Sequence, residues 1–167
     1  MHGVGTLAHE ANTVLEREGA GGGEGRVLAE AVACTETRFD AEALDGVEHD
    51  VIILGSGGAA RAIAFAIAGE SGVAGLTLLG VDGNERSTLA NDLRSKSPLT
   101  VADAHLDEVS LAKSLPDAQV LIHCTPVGMS PKTEASCVPA TLLNPGLAVM
   151  DIVYNPRDTR LLKDARQ

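Results

Sequence analysis

The chain has 167 residues, 44% of them apolar and 2% aromatic, and 23 acids against 13 bases give it a formal charge of −10. One domain with its own core suits that length, and the acidity argues against nucleic acid and anionic membrane surfaces as partners. Phe39, Phe65 and Tyr154 are the whole aromatic complement, too few to build base-stacking surfaces.

No apolar run approaches the roughly 18 residues of a membrane span. The opening MHGVGTLAHEANTV lacks the charged segment and greasy run of a secretory signal. Cys34, Cys124 and Cys137 are odd in number and share no CxxC spacing, which fits reduced thiols in the cytoplasm rather than a disulfide frame or a zinc site. No metal is expected.

Residues 1 to 49 read differently from the rest. Acids crowd them, as on a solvated face, and GAGGGEG at Gly19 to Gly25 is a flexible connection between NTVLERE and RVLAEAVA. A strand hairpin and a helix near Thr37 to Leu44 are expected there. From residue 50 the texture changes. Short apolar runs, VIILG (51–55), LTLLG (76–80), LTVAD (99–103), VLIHC (120–124) and AVMDIV (148–153), read as strands. Between the first four lie AARAIAFAIAG, NERSTLANDLRS and LDEVSLAKSL, with apolar residues three or four apart as in helices. Such alternation predicts an α/β fold over residues 50–167, a doubly wound parallel sheet of Rossmann type in the order 3-2-1-4-5. Near-continuous apolar strands suit a sheet covered on both faces.

VIILGSGGAARA, at residues 51 to 62, passes from a strand to almost bare backbone. Gly55, Gly57 and Ala60 fit G-x-G-x-x-G/A between a predicted strand and a predicted helix. Gly55 allows the tight turn, Gly57 lets backbone approach a pyrophosphate, and Ala60 lets helix and strand pack closely. The first helical turn then faces the phosphates with free N–H groups and a favourable dipole. An acid about 20 residues further on accepts ribose hydroxyls in such folds, whereas an Arg there serves a 2′-phosphate. Asp82 stands at that place, and it reads equally as the acid of an Asp-Gly turn.

HCTPVGMSP (123–131) follows the fourth strand and DIVYNPRDTRLL (151–162) the fifth. With GSGGAARA, these segments resemble the shikimate dehydrogenase family, including its quinate/shikimate members, which shows GAGGAxRA, N-x-TPVGM and D-x-VYNP-x-x-T-x-LL in this order. The resemblance covers residues 51 to 165, the nucleotide-binding domain of that family. It implies an NAD- or NADP-dependent dehydrogenase of aromatic amino acid biosynthesis that interconverts 3-dehydroshikimate and shikimate, or acts on quinate. Gly55, Ser56, Gly57, Gly58 and Ala59 would wrap the pyrophosphate, and Thr125, Pro126, Val127 and Met129 would wall the nicotinamide. Tyr154 would stand near the nicotinamide and the hydroxy acid, its other reading being a packed aromatic with a locally satisfied hydroxyl.

The departures carry information as well. His123 stands where the family has Asn, and either fills that role, packs passively or takes part in acid–base work. Cys124 reads better as a core thiol than as a nucleophile. NADP users carry NRT after the second strand and a further base, and the corresponding residues here are Gly80, Val81, Asp82 and Glu85. NAD is therefore favoured over the family's usual NADP, with Arg86 a substitute if the register slips by one. The family's substrate domain carries an NVTxPxK segment with a catalytic Lys, and the chain shows none. EANTVLEREG (10–19) resembles the AVNTVxxxxG piece of that domain, making Asn12 substrate-binding. ACTETRFDAEAL (33–44) resembles xNTDxxGFxxAL, placing Glu36 at the catalytic Asp.

A truncated dehydrogenase and a non-catalytic nucleotide-binding or regulatory module derived from the family both follow from this reading. A methylene-tetrahydrofolate dehydrogenase-like protein shares the fold, but TPVGM with VYNP argues against it. A homodimer or a complementing substrate domain are the protein partners that the resemblance leaves open.

Overall fold

The computed structural model describes residues 48–70 and 72–167. Five parallel strands form one sheet in the order β3-β2-β1-β4-β5. They are β1 (His49–Leu54), β2 (Val73–Gly80), β3 (Thr100–His105), β4 (Val120–His123) and β5 (Ala148–Asp151). Among the described residues four α-helices accompany them, α1 (Gly58–Ile67), α2 (Gly83–Lys96), α3 (Glu108–Ser114) and α4 (Arg160–Ala165), with short 3-10 turns at Leu115–Asp117 and Ala140–Leu142. The expected doubly wound α/β architecture and strand order are those observed.

The central strand shows why this sequence folds in three layers. Successive side chains of a strand face opposite ways. Val51 and Ile53 of β1 join one core with Ala60, Ala64, Leu76, Leu78, Leu89, Leu93 and Ile122, under α1 and α2. Ile52 and Leu54 join the other with Leu79, Leu111, Leu121, Val149, Leu161 and Leu162, under α3 and α4. The unbroken apolar run Val51–Leu54 is thus covered on both faces. Ala60 and Ala64 are wholly buried, so α1 lies close against the sheet because its inner face is methyl groups.

Two details differ from expectation. The strand expected to run to residue 153 ends at Asp151, because the Asp151 carboxylate turns back to accept the Val153 N–H at 2.9 Å and breaks the ladder. Helix α4 then begins at the end of DIVYNPRDTRLL and runs to Ala165, capped by Thr159, whose hydroxyl accepts from the Leu162 N–H. Six residues are too few to show a helical period.

Helix starts are the other feature that positions the site. Asp82 caps α2, Asp107 caps α3 and Thr159 caps α4, each through a side-chain oxygen. Helix α1 begins after Gly57 with no side-chain cap. Its first-turn N–H groups are therefore the set left for another acceptor.

Candidate functional site

Sheet order reverses about β1, which has β2 on one side and β4 on the other. The crevice outside the carboxyl ends of β1 and β4 is where open α/β sheets bind ligands. The glycine turn leads out of β1 into this crevice. Gly55 has φ +109°, and a Cβ there would lie 2.8 Å from the Cys124 carbonyl oxygen. The fold itself demands that glycine. Gly57 has an ordinary φ of −73°, and a Cβ there would meet nothing within 4 Å. The protein alone leaves that space, as a cradle for a diphosphate requires. Gly57, Gly58 and Ala59 are exposed, and Ser56 is half-buried.

At the end of β2, Asp82 accepts the N–H groups of Asn84 and Glu85, both at 2.9 Å on Oδ1. It serves as the turn and cap residue, the second of its two readings. The Ser56 hydroxyl donates to Glu85 Oε2 at 3.4 Å, which brings an acid of α2 against the glycine turn. Gly80 makes room, since a Cβ on it would come within 3.0 Å of the Ser56 oxygen. Arg86 is engaged elsewhere. Its Nε donates to Asp103 at 3.1 Å and an NH group to the Gly80 carbonyl at 2.8 Å. Asp103 is shared with Arg94 at 2.8 Å, and the two guanidinium groups, Arg94 first, hold its carboxyl below the usual range.

Beyond β4 and β5 a buried polar chain joins the two exit loops. His123 is 1% exposed and the Asp151 side chain 0%. The ring pairs through Nδ1 with Asp151 Oδ1 at 2.8 Å and through Nε2 with the Thr125 hydroxyl. Thr125 also accepts the Val127 N–H at 3.2 Å. Asp151 Oδ2 accepts the Thr159 hydroxyl at 2.7 Å. Burial is the largest single influence on the His123 ring and works against its charge, but the hydrogen bonds and charges of Asp151 and Cys137 together outweigh it, and the ring is raised to about 9. Cys124 is pushed up to about 12 by burial and by the Asp151 charge, so it is a neutral thiol, as the core reading has it.

Thr125, Val127 and Met129 are half-buried and Pro126 is exposed. The Ser130 N–H donates to the Asn155 carbonyl at 2.9 Å, which sets the loop after β4 beside the loop that carries Tyr154. Tyr154 is 77% exposed, not the packed aromatic of its alternative reading. Asn12 and Glu36 lie outside the described residues. Two clefts of about 500 and 540 Å³ lie apart from the crevice, one between α3, α4 and residues 134–140 and one against Leu115–Gln119 and Thr141–Gly146. Among the described residues no group of three His, Cys, Asp or Glu side chains could hold a metal, and no helix is long and apolar enough to cross a membrane.

Three features lay beyond the sequence. His123 and Asp151 stand 28 residues apart, Glu85 and Ser56 29 apart, and Arg86 and Asp103 17 apart. Only strand order brings these pairs together.

A doubly wound sheet, a glycine turn at its switch point and an uncapped helix behind that turn define a Rossmann-type fold. No family model matches the chain. It is 42% identical over 123 residues to shikimate dehydrogenase (NADP(+)) of Symbiobacterium thermophilum, covering 71% of this chain and 41% of that protein. It is 34% identical over 168 residues to the enzyme of the same name from Methanothermobacter thermautotrophicus, an alignment that takes in 100% of this chain and 56% of the relative. Among solved structures, shikimate 5-dehydrogenase of Listeria monocytogenes in complex with shikimate and NAD superposes with TM-score 0.69 and 28% identity, over 85% of this chain and 48% of that one. Quinate dehydrogenase of Corynebacterium glutamicum in complex with NAD gives TM-score 0.66 and 25% identity, over 86% and 46%. The chain is thus similar in sequence and fold to shikimate dehydrogenases. It spans about half the length of the curated relatives it matches.

Proposed function

We propose that the chain serves an NAD(P)-dependent oxidoreductase that interconverts a cyclic hydroxy acid, shikimate or quinate, with its ketone. The observation that carries this is the vacant space at Gly57, in front of an uncapped helix and beside the loops of Thr125 and Tyr154. A dinucleotide fits that arrangement. The first-turn N–H groups of α1 and the backbone of Gly55 to Ala59 would hold the diphosphate. Thr125, Pro126, Val127 and Met129 would wall the nicotinamide end, with Tyr154 next to the hydroxy acid. The cofactor, when bound, supplies the hydride acceptor or donor. The relatives are dehydrogenases by name, which favours an enzyme over a non-catalytic module.

For the finer choice of cofactor we propose NAD. Both named relatives carry NADP(+) in their names, and both named structures hold NAD. The local chemistry favours the second. Asp82 and Glu85 would present like charge to a 2′-phosphate, and Arg86 is drawn to Asp103. Asn12 as a substrate ligand and Glu36 as the acid–base group complete the proposal, which divides the chain at residue 50 into a substrate-domain portion and the nucleotide-binding domain.

The test is calorimetric titration with NAD and NADP, then hydride transfer with shikimate and with quinate, with and without a complementing substrate domain in trans. General acid–base help is typically worth about 10²–10⁴-fold, and these 167 residues contain no NVTxPxK segment. The polypeptide alone is expected to bind NAD and turn over slowly, and the added domain to raise the rate. Absence of dinucleotide binding would refute the assignment. Fast turnover by the polypeptide alone would show that a residue other than Glu36 with a partner Lys moves the proton.

A further inference from the structure

We infer that His123, buried between the Asp151 carboxylate and the Thr125 hydroxyl, is a positioning residue that turns the Thr125 hydroxyl proton outward, so that Thr125 donates a hydrogen bond to a carbonyl-type acceptor at the nicotinamide end of the cofactor. The inference rests on the dinucleotide-binding reading and adds to it a residue that touches no ligand.

The argument is an inventory of protons. Asp151 Oδ1 accepts from the His123 ring and the Val153 N–H, and Oδ2 accepts from Thr159. An acceptor so surrounded requires Nδ1 to carry a proton in either charge state of the ring. The difference falls on Nε2, which lies against the Thr125 oxygen. With Nε2 protonated, that oxygen receives two hydrogen bonds, from the ring and from the Val127 N–H. Both lone pairs are then used, and the hydroxyl proton is left to donate away from both. With Nε2 bare, Thr125 must donate inward to the ring, and the crevice loses a donor.

Half-buried Thr125 can present that proton to the crevice, whereas His123 at 1% exposure cannot meet a ligand itself. The groups facing the ring all bear on its charge. Asp151 of β5 favours the cation, Cys137 of the β4–β5 connection adds to this, and neighbouring Cys124 stays neutral. The ring is raised to about 9, so the outward-donating arrangement is the one present at neutral pH. The nicotinamide carboxamide is the acceptor class that a lone hydroxyl donor at this end of the crevice suits.

The experiment compares the affinity of NAD with that of ADP-ribose, which lacks the nicotinamide, from neutral pH to about pH 10. One lost neutral hydrogen bond corresponds to about 3- to 10-fold in affinity. NAD is expected to weaken by that factor as pH rises through about 9, while ADP-ribose does not change. His123→Asn removes the titrating ring and is expected to abolish the pH step. Thr125→Ser, which retains the hydroxyl, is expected to keep the step, and Thr125→Val to lose it, with thermal unfolding showing that each variant is folded. A step of the same size in His123→Asn, an equal step for ADP-ribose, or no step in the parent chain would each overturn the inference. Failure of both ligands to bind at any pH would instead refute the dinucleotide reading beneath it.

Discussion

Gly55 and Gly57 belong to one motif but answer to different constraints, and substitution separates them. Gly57→Val places a branched side chain where nothing of the protein stands within 4 Å. Stability is expected to change by no more than about 0.5 kcal/mol in denaturant unfolding, while calorimetry shows NAD affinity falling by more than about tenfold. Gly55→Ala forces a methyl against the Cys124 carbonyl at φ +109°. That variant is expected to lose at least about 1–3 kcal/mol of stability whether or not ligand is present. The reverse pattern would mean that the glycine turn is only a packing device. Glu85 is a second residue whose meaning lies in what it approaches. Glu85→Gln removes a negative charge beside Ser56, and NADP affinity is expected to rise about three- to tenfold relative to NAD. An unchanged ratio in parallel titrations would place cofactor choice elsewhere.

At the level of elements, the ends of β2 and the start of α2 carry two duties at once. The Asp82 carboxylate satisfies two first-turn N–H groups of α2, a contribution of about 1 kcal/mol for a cap of this kind. Asp82→Ala is expected to lose about that amount. Asp82→Asn keeps an acceptor and retains stability. If the carboxylate also accepts ribose hydroxyls, both variants lose NAD affinity although only one is less stable, and calorimetry beside thermal unfolding separates the two duties. Asp-Gly was legible in the sequence as a turn with a ribose-binding alternative, because capping and ribose binding use the same short acid. The sequence contains no local signal for the Arg86 ion pair, since Asp103 is on β3.

For the whole molecule, the buried His123–Asp151 pair ties stability to pH. The folded-state value of the ring, about 9, lies above its ordinary 6.5. Its contribution is therefore complete below about pH 6.5 and is lost as pH rises through about 9. Urea unfolding across that window is expected to show stability falling, and His123→Asn to flatten the fall. Asp103, lowered by Arg94 and Arg86, acts with the opposite sign and gives up its contribution as pH drops through the carboxylate range. Stability is thus expected to peak between the two limbs.

Patterning along the chain was enough to determine the sheet, its order and the glycine turn. Strand periodicity, helix spacing and right-handed crossovers are local or generic properties, and VIILGSGGAARA states a strand, a turn and a helix start within twelve letters. The motifs after β4 and β5 carried the resemblance to the family for the same reason, being contiguous runs. Tertiary structure alone decided which groups meet at the crevice. His123 read as acid–base group, Asn substitute or passive filler until the approach of Asp151 favoured the charged ring against the cost of burial. Arg86 read as a substitute phosphate ligand until β3 presented Asp103 to it. Electrostatics depends on distance through space, and parallel crossovers bring together residues that lie 17 to 29 positions apart along the chain.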